Sequence, residues 1–203
     1  MLAAMMGCSS VVPSNTRYRP GRFEFDWPPH AKLTLGVRRS TNERLSIDTE
    51  LLIVKLQDAA ITSAVSRANS RVPESPFAVM KVDEQWQTAS VQDPVVSSRV
   101  DARCSVSLKL MSVQSSDFEE IIVTDSRGHV VCQTRMAERY FQGNQSWWLE
   151  CVESGQLSHS RLNYEATSGA LALSIFASVV DPSTGEAIGV ARALLRRHVG
   201  VRE

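Results

Sequence analysis

The sequence predicts an α+β fold, with a long N-terminal helix packed on a central antiparallel sheet. Two observations predict it. Apolar residues recur at helical spacing in the first half, at Ile47, Leu51, Val54, Ile61, Val65 and Ala68. From Phe118 the period shortens, and β-branched runs alternate with glycine-bearing turns. Helices first and strands afterwards is the order of an α+β domain. The 203 residues suit one domain of about 150 residues plus a tail. A hydrophobic fraction of 43% is enough for a real core. Lys+Arg and Asp+Glu both number 22, so no net charge argues for a nucleic-acid partner.

The division expected is a signal remnant over 1–8, a tether over 9–39, one domain over 40–198 and a tail over 199–203. Met1 to Gly7 is apolar and small and runs into Cys8, which resembles the end of a bacterial lipoprotein signal. That likeness implies lipidation of Cys8, a membrane anchor, and a start codon placed downstream of the true one. No apolar run reaches the roughly 20 residues of a membrane span. The tether holds Pro13, Pro20, Gly21, Pro28 and Pro29. Arg17, Arg19, Arg22, Lys32, Arg38, Arg39 and Arg44 face only Glu24, Asp26 and Glu43. The choice there is between a solvated linker and contact with anionic lipid head groups.

Ser40 and Glu43 stand in capping-box relation and are expected to open the long helix, which Pro73 and Pro76 end. Trp86 anchors a short helix or turn over 77–92. Asp93 and Pro94 fit the cap and first turn of another helix, with Val96, Val100, Leu108 and Met111 on its apolar face. Glu119–Thr124 and His129–Thr134 form a hairpin around Gly128. Residues 136–155 are aromatic-rich loop or helix. Strands follow at Arg161–Glu165, Ala170–Val180 and Glu186–Leu195, the last two joined by a turn ending in Gly185. On the 170–180 strand, Leu171, Leu173, Ile175, Ala177 and Val179 share one face, suited to a helix. Ala172, Ser174, Phe176 and Ser178 share the other, suited to a cavity floor. Cys132 on a strand and Cys104 on a helix read as small buried hydrophobes. An oxidising compartment would allow one disulfide among Cys104, Cys132 and Cys151, and the sequence does not choose the pair.

Five segments, in order, resemble a Cache sensor domain, the PAS-like extracytoplasmic fold also called PDC. They are Val82–Trp86, Ile122–Val131, Tyr140–Gly143 followed by Trp147-Trp148, Asn163–Gly169, and Val180–Val190. The resemblance covers roughly residues 46–195. It implies a ligand site at Tyr140, Gln145, Trp147, Trp148, Tyr164 and Glu165. In the amino-acid-binding branch of that family an Arg takes the ligand carboxylate where this chain has Gln145. A neutral amide cannot replace a charged bidentate fork, so the resemblance shifts toward an amine-bearing ligand held by Glu165 and a tryptophan face. Neighbours on a helix diverge by about 100°, so only one of Trp147 and Trp148 is expected in the core.

No enzyme is expected, and no metal or cofactor. His30, His129, His159 and His198 form no constellation, and no hydrolase, zincin, P-loop or dinucleotide fingerprint occurs. No kinase, cyclase or methyl-accepting segment follows the last strand, so output is expected through a separate signalling protein. Related sensors associate through their long helices, which implies a homodimer. The competing reading is a structural lipoprotein of the same fold that has lost its ligand. A site filled by Phe176 and the tryptophan pair would favour it.

Overall fold

The computed structural model describes residues 35–114, 118–154, 158–165 and 170–195, with side chains at 45–114, 118–154 and 173–195. Six helices run α1 (Leu35–Leu56), α2 (Ala59–Asn69), α3 (Pro76–Thr88), α4 (Pro94–Ser97), α5 (Ala102–Gln114) and α6 (Ser146–Ser154). Five strands run β1 (Phe118–Asp125), β2 (Val130–Gln133), β3 (Ser158–Glu165), β4 (Ala170–Val180) and β5 (Ala187–Leu195). They form one antiparallel sheet in the order β2-β1-β5-β4-β3. The α+β architecture is therefore the one the sequence predicts. The β1–β2 and β4–β5 turns each use a left-handed glycine, Gly128 at φ 87° and Gly185 at φ 74°.

One face of the sheet carries the larger core. Ile121, Val123, Ile175, Ala177, Val179, Ala191 and Ala193 meet Leu52, Leu56, Ile61, Val65, Leu108 and Met111 from α1, α2 and α5. Here two expectations are corrected. The long helix is two helices, because the Asp58 carboxylate accepts from the Ala60 N–H at 2.9 Å and caps α2. Its start is Leu35, so Ser40 and Glu43 lie inside α1 and do not cap it. The face is corrected too. Ile47 and Val54 are 63% and 66% exposed, while Leu45, Leu52 and Leu56 are buried. Two apolar stripes overlap along α1, and packing on β4 selects the second. The predicted stripe holds in α2, where Ile61, Val65 and Ala68 are buried.

The helix expected from Asp93 is likewise two. Asp101 opens α5 by accepting from the Cys104 N–H at 2.9 Å. Asp93 precedes α4, but its carboxylate bonds back to the Ser90 N–H and leaves the helix N–H groups alone. A register shift after Val123 turns Val131 and Cys132 both toward α5. There Cys132 forms a disulfide with Cys104, with Cα atoms 5.7 Å apart. Cys151 is a buried thiol.

The opposite face of the sheet is covered by short pieces. Trp86, Val82 and Val96 pack on Ile122, Val130 and Tyr140. Beside them Trp147, Trp148 and Cys151 pack on Phe176 and Val190. The alternation expected for β4 is met: Ile175, Ala177 and Val179 face the long helices, and Phe176 faces α6.

Candidate functional site

Segments scattered over a hundred residues meet on this second face. Asp83 Oδ1 accepts from the Tyr140 N–H (2.8 Å) and the Phe141 N–H (3.1 Å). Trp86 Nε1 donates to the Ala137 carbonyl at 2.8 Å. The Gln142 N–H donates to the Gly128 carbonyl at 2.7 Å, and the Val130 N–H to the Tyr140 carbonyl at 3.0 Å. A Cβ at Gly128 would collide with the Gly143 backbone, so the close approach requires glycine. Trp148 Nε1 donates to Thr124 Oγ1, which donates to the Val190 carbonyl, both at 3.0 Å. Four of the five sequence segments are thereby joined by direct contacts; of the fifth, Asn163–Gly169, the described residues Asn163, Tyr164 and Glu165 end β3.

The predicted site residues separate into two groups. Tyr140 is buried against Trp86 and stacks on His129, with ring centroids 5.3 Å apart in both pairs. Trp147 and Trp148 lie in the other cluster, and both are buried, at 6% and 8% exposure. The expectation of one core tryptophan is thus corrected. Both rings meet the sheet, Trp147 stacking on Phe176 at 5.7 Å and Trp148 reaching Thr124. Gln145 sits just before α6, where its carbonyl takes the first helical N–H bonds and its side chain bonds Asn144 at 3.1 Å. Tyr164 and Glu165 end β3 opposite Leu171 and Ala170. Their side chains, and Cys8 entirely, lie outside the described residues.

The sequence reading missed the cations of this face. Arg192, from β5, lies 5.7 Å from the Trp147 ring and pairs with Glu120 at 2.7 Å. Strand alternation could have found it, because it shares a cross-strand row with Ile122 and Phe176. Arg99 lies 5.6 Å from the Tyr140 ring. Nothing local marks it, since Glu74 and Tyr140, its partners beyond Ser98, come from two other segments.

At the β1–β2 turn lies a small cleft, partly open to solvent. Its lining includes Tyr140, His129, Asp125, Arg71, Glu74, Arg99 and Arg127. Asp125 accepts from His129 Nδ1 (3.1 Å) and from the backbone N–H groups of His129 (2.8 Å) and Arg127 (2.9 Å). Burial pushes its carboxyl up, but those bonds outweigh burial and hold it below the usual carboxylate range. Burial first, and Glu74 second, push the Tyr140 hydroxyl up to about 12, so it stays a neutral phenol. Burial likewise raises Cys151 to about 12, which makes it an inert thiol. Among the described residues no group of three or more His, Cys, Asp or Glu could hold a metal ion. No described helix is long and apolar enough to cross a membrane.

No protein-family model matches the sequence, and no curated protein matches it. Solved structures do. The sensor domain of the V. cholerae histidine kinase DctB is 12% identical, over 78% of this chain and 52% of that one, at TM-score 0.46. The ligand-binding domain of the Pseudomonas aeruginosa amino-acid chemoreceptor PctC, solved with GABA, is 16% identical, over 78% and 62%, at 0.39. The ligand-binding domain of the Pseudomonas fluorescens chemoreceptor CtaA, solved with L-serine, is 17% identical, over 78% and 60%, at 0.36. The chain thus spans between half and two thirds of these structures.

Proposed function

We propose that this chain is a small-molecule-binding sensor module of the Cache type that works outside the cytoplasm and catalyses no reaction. The observation that carries the reading is the convergence just described. Four of the five segments that resemble the family fall at distant points in the sequence, yet they bond to one another on one face of the sheet, beside a charged cleft. Generic turns would have no reason to meet. The Cys104–Cys132 disulfide favours an oxidising compartment. In this reading Cys8 carries a lipid anchor and output passes through a separate membrane or signalling protein.

The test is thermal melting of the full chain against amino acids, amines, mono- and dicarboxylates at millimolar concentration. A ligand that binds only the folded state raises stability by about 2.7 kcal/mol at a hundredfold excess over Kd. One chemical class is expected to raise Tm by several degrees. No rise with any class overturns the reading.

One observation favours the second reading, a structural module of the same fold. Trp147, Trp148, Cys151, Phe176 and Val190 form a filled cluster where the family likeness implies a ligand. Under that reading the melting temperature is indifferent to every class.

A further inference from the structure

We infer that the cleft at the β1–β2 turn is a small-oxyanion site, in which Arg71 and Arg99 hold a carboxylate or phosphate group. The site is separate from the tryptophan cluster, and it does not need that cluster to bind anything.

The charges decide the class of ligand. Three guanidinium groups (Arg71, Arg99, Arg127) and two carboxylates (Glu74, Asp125) line the cleft, an excess of one cation among these five groups. Two of these five are already engaged. Asp125 spends its oxygens on His129 and two backbone N–H groups. Arg127 caps the end of α2, donating to the Asn69 carbonyl at 3.0 Å and the Arg71 carbonyl at 3.5 Å. Arg71 and Arg99 are left against Glu74 alone.

Arg99 keeps donor capacity in reserve. Its Nε–H is buried with no partner among the described residues. Its amino groups reach Ser98 and Glu74 only at 3.4 Å, the long limit of a hydrogen bond. A buried guanidinium donor without a partner is costly, and a planar oxyanion is the group whose geometry matches the fork. Tyr140 lies 5.6 Å away and holds the guanidinium by its ring face, which leaves the donor edges for a ligand. Arg71 is exposed at the rim and forms no ion pair among the described residues. Glu74 is the one competitor, through a weak contact, so an arriving anion displaces it.

The experiment is calorimetric titration of the full chain at neutral pH with inorganic phosphate, and separately with sodium acetate, at fixed ionic strength. Saturable binding of at least one anion is expected. Arg71→Gln is the variant that folds unchanged, and it should weaken that binding by about tenfold, the cost of one charged contact. Arg99→Gln should abolish it. Glu74→Gln should tighten it several-fold, an effect a structural role for Glu74 would not produce. Arg135→Gln, on an exposed arginine paired to Glu119 elsewhere on the sheet, should leave it unchanged. A response to phosphate alone identifies a phosphate group as the ligand moiety, and a response to acetate identifies a carboxylate. No saturable response to either anion, equal affinity in Arg71→Gln, or weaker binding in Glu74→Gln overturns the proposal. The wider sensor reading fails separately, when no amino acid, amine or carboxylate moves Tm; phosphate can then still titrate the cleft.

Discussion

The carboxylate of Asp58 accepts from the Ala60 N–H (2.9 Å), the Lys55 ammonium (2.7 Å) and the Ser107 hydroxyl (2.8 Å). One side chain thus ends α1, starts α2 and ties both to α5. Lys55 first, then the Ala60 and Ser107 donors, hold its carboxyl down to about 2 from an ordinary 3.8. The folded pKa is depressed, so the stability it gives is present above 3.8 and lost as pH falls toward 2. Asp58→Ala is expected to cost about 1–2 kcal/mol at neutral pH, read by denaturant unfolding. Asp58→Asn keeps a capping oxygen and loses the charge. Its deficit against the parent should therefore shrink across that acid window, and a deficit independent of pH would refute the assignment. Residue-scale signals of this kind were partly legible. In the sequence Asp58 shows only as a polar interruption between Val54 and Ile61 of the apolar stripe. A cap inside a helix is visible once the chain direction changes there, and that change depends on which face of the sheet each half must cover.

At the scale of elements, the disulfide joins α5 to β2 and closes a loop of sequence separation 28. Chain-entropy arguments give such a loop about 3–4 kcal/mol. The double variant Cys104→Ala, Cys132→Ala should melt well below the parent under non-reducing conditions, and the two should converge once the parent is reduced. Thiol titration after unfolding should find Cys104 and Cys132 oxidised. The sequence placed Cys132 on a strand and Cys104 on a helix, but not their pairing. The pairing depends on the shift after Val123 that turns Cys132 toward α5. Hairpins read well, because a glycine with positive φ and two β-branched runs are local facts. The burial of both Trp147 and Trp148 read badly. Adjacent helix positions diverge by about 100°, yet side chains as large as tryptophan both reach the sheet, Trp147 at Phe176 and Trp148 at Thr124.

At the scale of the molecule, α1 carries an exposed apolar stripe of Ile47, Leu51 and Val54. Spacings of four and three residues suit packing against a second helix. A homodimer through α1 is the proposal that uses it. Sedimentation of the full chain should give a dimer at micromolar concentration, and Ile47→Lys with Val54→Lys should give a folded monomer. An unchanged dimer in that variant would move the interface elsewhere. The sequence by itself determined the class of fold, the two glycine turns, the alternation of β4 and the segments that carry the family likeness. Each of these depends on residues within a few positions of one another, where backbone sterics and periodicity are decisive. Only the tertiary structure decided which stripe of α1 is buried, which cysteines pair, and that Arg71, Arg99 and Tyr140 share a cleft. The first depends on β4, the second on α5 meeting β2, and the third on the α2–α3 connection, the α4–α5 connection and the loop after β2, and no local rule relates residues so far apart in the chain.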